Sequence, residues 1–195
     1  MWRALAFGVT FVLAGLANGS PASSEQRFRH VSGGGLEMAG RQVRCDRVEL
    51  RLDRGLENLG VAAPDDRLLV LNPLLLSHYS KTVQLFVFHH ECGHHRVGAS
   101  ELKADCWAVD RGVRDGWLDR NGLGQVCRSF GDAPATDTHP AGRRRCANLD
   151  RCFASVEVAI ERERKERTRQ TAVAAPRSPP KLVAGPRLVR ASTFR

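Results

Sequence analysis

The sequence predicts an α+β fold, a compact domain with a small sheet packed on one helix. Three observations carry this. Over 43–52, Val48, Leu50 and Leu52 alternate with charged residues, the pattern of a half-buried strand. A short apolar run, 67–73, is closed by Asn72 and Pro73 and reads as a second strand. From about Lys81 to Val97, Val83, Val87, His90 and His94 recur at three-to-four spacing with Phe86 beside them, the stripe of a helix.

The elements follow in order. Arg3, the fourteen-residue apolar run 4–17 and the small residues after it read as a secretory signal over 1–22, cleaved after Gly19 or Ala22. The run falls short of the ~20 residues that a spanning helix needs. Residues 23–42 are polar and glycine-bearing, a flexible lead-in to a domain over 43–160. Gly98 ends the striped helix, and Ser100 caps a second one from Glu101 to about Asp115. A short helix is expected near 123–130, a loop over 131–144, and a last helix from about Arg143. Residues 161–195 are the charged end of that helix and a basic tail, disordered from Thr171 by composition.

The formal charge of +9 is mostly a property of the tail. Residues 161–195 carry ten Lys/Arg against three Glu, whereas 23–160 carry nineteen bases against eighteen acids. The domain is nearly neutral, so no specific nucleic-acid binding is expected; the tail is suited to an anionic surface. Six cysteines behind a signal segment suggest up to three disulfides, in any of 15 pairings, and an exported protein. There is no CxxC pair, which makes cysteine ligation of a metal the weaker reading.

Residues 85–109 hold four of the seven histidines and three acids. His90-Glu91-Cys92-Gly93-His94 spells HExxH. Histidines four apart on a helix share a face, so both imidazoles reach one ion. Glu91 is turned about 100° around the axis and can address a water without ligating the metal, as a general base requires. Frames starting from His89 or ending at His95 give no second histidine, so those two are flanking residues. A catalytic zinc needs a third protein donor, and Glu101 is the candidate, with Asp105 and His139 as alternatives. Asp105, four residues after Glu101, can bond a ligating imidazole and fix its tautomer. Leu85, Phe86, Val87 and Phe88 can seat this helix in the core. Cys92 and Cys106 fall on the two helices; a bond between them would fasten the site, and two buried thiols are the alternative.

"HECGHH" followed by "ELKADCWA" resembles the HExxH and ExxAD pair of the gluzincin metallopeptidases. It is similar to the bacterial neutral zinc metallopeptidases and, more distantly, to the prenyl-protein and heat-shock membrane proteases. The resemblance spans roughly 83–150 and implies a zincin-like domain, with Glu101 as third ligand and Asp105 supporting the site. "THPAGRRRCANL" resembles the family's segment of THP, then Arg, then Ile, with Cys146 in the apolar position. By that match His139 and Arg145 lie near the site or brace it. Only six residues separate His94 from Glu101, a tighter connection than many relatives have, and no second stretch of this chain is apolar enough to be a spanning helix.

The expected protein is a secreted or periplasmic zinc metalloendopeptidase. One Zn2+ sits on His90, His94 and Glu101, Glu91 is the base, and His139 assists at the oxyanion. Its partner is a peptide or protein substrate, which the type of fold suggests is held along a strand edge. The alternatives are a zinc-containing binding or regulatory protein without turnover, and an interaction protein that works through its tail.

Overall fold

A computed structural model describes residues 28–174. The expected signal segment and the tail beyond Ala174 fall outside that range; residues 171–174, expected to be disordered, instead continue the last helix. The chain is α+β, with helices dominating and short strands in two three-stranded sheets.

The first sheet corrects the expectation of a flexible lead-in. Strands β1 (Arg29–Val31), β2 (Gly35–Met38) and β3 (Arg41–Val43) form an antiparallel meander. Ala39 and Gly40, both at positive φ (52° and 76°), make the two-residue turn between β2 and β3, the backbone that a tight hairpin needs. Leu36 and Met38 are buried to within 1%. Two apolar side chains reaching the core are what order a segment that is otherwise polar and glycine-rich.

The predicted strand over 43–52 is shorter than its alternation suggests. It breaks at Cys45 and Arg47, the latter at φ 61°, and resumes as β4 (Glu49–Leu52). Strand β5 (Gly60–Ala63) was not anticipated; β6 (Leu68–Leu71) was. The order is β4-β6-β5, with β4 parallel and β5 antiparallel to the central β6. Asn72 then caps the short α1 (Pro73–Leu76), accepting from the Leu74 and Leu75 N–H groups. Its amide donates to the Arg54 and Leu56 carbonyls and so ties down the loop before β5.

Helix α2 (Lys81–Val97) has the bounds that its stripe predicts and is capped by Ser80. It lies between two clusters of buried side chains. Leu85, Phe88 and Cys92 pack with Leu36, Met38, Leu69 and Leu71 of the sheets. Val83 and Phe86 pack with α3 (Glu101–Arg114), α4 (Arg120–Phe130) and α5 (Gly142–Ala174) through Val109, Val126, Leu149 and Phe153. The α2–α3 hairpin is close because Gly93 faces Ala104; a Cβ on Gly93 would lie 3.2 Å from the Ala104 Cα.

The six cysteines pair as Cys45–Cys92, Cys106–Cys152 and Cys127–Cys146. Neither alternative for Cys92 and Cys106 holds: both are bonded, but to Cys45 and Cys152 and not to each other. Cys92 leaves α2 on the sheet side and Cys106 packs with the helical cluster, so they look away from each other. Each real bond joins separate elements, and three such bonds indicate an oxidising, exported setting.

Candidate metal centre

α2 delivers His90 and His94 one turn apart, and the three-residue connection after it returns the chain so that Glu101 opens α3 opposite them. His90 Nε2 lies 3.2 Å from His94 Nε2 and 3.2 Å from Glu101 Oε2. His94 Nε2 lies 3.3 Å from Glu101 Oε1. The two Glu101 distances end on different carboxylate oxygens; taking one atom from each side chain, the three form a donor triangle within 4.8 Å. A tetrahedral ion with bonds of ~2.0–2.1 Å has ligand-to-ligand edges of about 3.3 Å. Among the described residues this is the group that could hold a metal ion.

Both imidazoles are oriented by their other nitrogen. His90 Nδ1 is 3.0 Å from the fully buried Asp105 carboxylate. His94 Nδ1 is 2.9 Å from the carbonyl of Gly98, the residue that ends α2 at φ 76°. An Nδ1–H that donates to each of these partners is the tautomer in which both Nε2 atoms can ligate a metal on the Glu101 side. Asp105 is itself held by the guanidinium of Arg145 from α5, with Nε donating at 3.0 Å. Arg145 lies over the Phe130 ring at 4.2 Å. So Asp105 is occupied as a brace, not as a third donor.

The electrostatics suit a cation. Burial alone would lower the His90 pKa, but hydrogen bonds to Asp105 and Glu101 outweigh it and raise it to about 9. Burial opposes ionisation of Glu101 too, yet the facing imidazoles of His90 and His94 hold its carboxyl well below the usual range. Glu101 Oε2 is buried, and apart from the His90 imidazole at 3.2 Å it meets no close donor, which leaves an anionic oxygen that a metal would complete.

Glu91 stands beside the triangle and outside it. Burial raises its pKa, and it accepts a hydrogen bond from the Ala62 main chain in β5. Gly60 makes room for it, since a Cβ there would come 2.9 Å from Glu91 Cγ. His139 sits at the rim, its Nε2 3.8 Å from Glu101 Oε2 and its Nδ1 2.8 Å from Thr138 Oγ1. It rides on the loop that Cys127–Cys146 closes. All of these line one cleft of about 700 Å³ with apolar walls from Val61, Phe86, Val87 and Phe130.

Every site residue expected from the sequence is thus in one place. Sequence reasoning missed Gly60 and Ala62, whose only signal is a four-residue run of small apolar residues, and Gly93, whose role depends on what packs against it. The arrangement belongs to a general class, two histidines and one carboxylate with an adjacent acid that does not ligate. Comparisons with models of protein families, with curated proteins and with solved structures returned no match for this chain.

Proposed function

We propose that the protein is an exported zinc metalloendopeptidase of gluzincin type. The observation that carries this is Glu91: a buried acid with a raised pKa, turned into the cleft beside three converging metal donors. A group that only binds metal has no use for it. Two imidazole nitrogens and one carboxylate converging within 4.8 Å are a donor set that suits zinc, and three protein donors are the number a catalytic zinc would use.

A zinc ion there would supply Lewis acidity, which acidifies water and polarises a carbonyl. Glu91 takes the proton of the attacking water and returns it to the leaving amine, a transfer that its raised pKa favours. The Ala62 N–H and the tight fit at Gly60 hold its carboxylate in place. His139, at the rim, is positioned to donate to the developing oxyanion. Arg145 acts through Asp105, which fixes the His90 ring. Strand β5 pairs only with β6 among the described residues, so its free edge can hold an extended substrate across the cleft.

The test is cleavage of a mixed peptide library by the purified protein, with Glu91→Gln in parallel and metal content measured for both. The expected result is cutting by the wild type and a loss of at least about 100-fold in the variant at equal zinc content. Zinc in both proteins and cutting by neither would replace the peptidase reading with that of a metal-containing binding protein.

A further inference from the structure

A second cleft, of about 1010 Å³, lies on the side of α2 that faces away from the metal donors. His90 and His94 occupy one side of the helix; Leu85, His89, Cys92 and Arg96 occupy the other, roughly half a turn around. The far wall is β3 and the residue after it. The floor holds Trp107 and Trp117, and four arginines surround the opening: Arg41, Arg44, Arg96 and Arg111.

The charge there is only partly compensated. Arg96 pairs with Asp46 at 3.1 Å and Arg111 with Asp115 at 3.3 Å. Arg41 and Arg44 reach only main-chain carbonyls, of Asp115 at 3.4 Å and Ser32 at 2.9 Å, and have no carboxylate partner among the described residues. His89, 7% exposed, stacks on Trp117 at 5.2 Å, and the Trp117 Nε1–H is buried without a hydrogen-bond partner. A buried donor without a partner, lining a cleft, is a group for a ligand to satisfy.

Residues 41, 42, 43 and 44 all line this cleft. The first three are β3 and Arg44 follows it; successive residues of a strand point to opposite faces, so three in a row lining one cleft place it along the strand's edge. β3 pairs only with β2 among the described residues, which leaves that edge free. A free edge accepts the main chain of a peptide, and Trp with Arg is the composition of protein-binding hot spots.

We propose that this cleft binds an extended acidic peptide segment. Its main chain adds to β3, its carboxylates meet Arg41, Arg44, Arg96 and Arg111, and an apolar side chain rests on Trp107 and Trp117. The site is separate from the metal centre, and binding there needs neither the metal nor Glu91.

The probe is a short fluorescein-labelled peptide of glutamates with a central leucine. Binding is read by anisotropy, using the full chain carrying Glu91→Gln so that the probe stays intact. A Gln-for-Glu version of the peptide, an N-methylated version and a sulfated polysaccharide are run beside it. Two of the chain's three tryptophans line the cleft, so their emission should shift on binding. The expected result is saturable binding that weakens with salt. The Gln peptide and the N-methylated peptide should each lose about tenfold or more in affinity. Arg41→Glu with Arg44→Glu should do the same, and Arg41→Lys with Arg44→Lys should keep most of it. Equal affinity for the Gln peptide would overturn the proposal without any change to the protein. Binding of the polysaccharide alone would overturn the peptide assignment, and binding unaffected by N-methylation would remove the strand edge from it.

Discussion

His89 and His90 are neighbours in the chain with opposite surroundings. His90 meets Asp105, Glu101 and His94, and its pKa is raised to about 9 although burial works against it. His89 stacks on Trp117 and meets Phe88 edge-on, with Arg111 nearby. Burial, helped by that arginine, lowers its pKa to about 4. One residue's step of about 100° around α2 separates a candidate metal donor from a ring in aromatic contacts. The difference shows that histidine count says little; which face of the helix each ring leaves from decides its chemistry.

The largest test of that difference is metal binding. His90→Ala should abolish stable zinc uptake, because it breaks the donor triangle and leaves Asp105 without its imidazole. His89→Phe should leave uptake unchanged, since that ring faces the other cleft. Bound metal after dialysis separates the two. Uptake by the wild type should also weaken as pH falls, because a proton on His90 competes with the ion. If His89→Phe lost zinc as fully as His90→Ala, the assignment of faces would be wrong.

A smaller effect is expected behind His90. Arg145→Lys keeps the charge but loses the fork that grips Asp105 through two nitrogens. Zinc affinity should drop about tenfold to 100-fold, the usual cost of losing a partner that orients a ligand. Competition with a chromophoric chelator measures this. A value equal to wild type would mean that Asp105 holds its place without the guanidinium.

Much of this was legible in the chain because helices are local. The bounds of α2 and the turn at Gly98 follow from spacing and caps within a few residues; α3 starts at Glu101 as expected, although the Ser100 side chain makes no cap bond, and between them they bring the three donors together. That Arg145 lies near the site came only through a family resemblance, and its bond to Asp105, 40 residues away, was not foreseen. What stayed hidden depends on distant partners. β5 has no alternation to show, because Gly60 and Ala62 are small to fit against α2. The meander reads as loose until Leu36 and Met38 find the core. The cysteine pairing was settled by the direction in which α2 presents Cys92, and composition does not carry that.

The smallest effect is on stability, where the two histidines pull in opposite directions. In the metal-free protein His90 is charged up to about pH 9, whereas in the unfolded chain it titrates near 6.5. Its contribution is complete below 6.5 and is lost as pH rises towards 9. His89 stays neutral in the fold down to about 4, while the unfolded chain takes up a proton near 6.5. Its contribution is complete above 6.5 and is lost as pH falls towards 4. Between pH 6.5 and 4 His90 is protonated in both states, so the loss in that window comes from His89 and from His95, whose pKa burial also lowers. The His89 share should reach about 2 kcal/mol by pH 5, and His89→Phe, which keeps a ring against Trp117, should remove that share. Urea unfolding of both proteins in chelator, at neutral pH and near pH 5, measures the difference between their slopes. Parallel slopes would mean that His89 accepts its proton inside the fold, and that the two neighbours are less unlike than their surroundings make them.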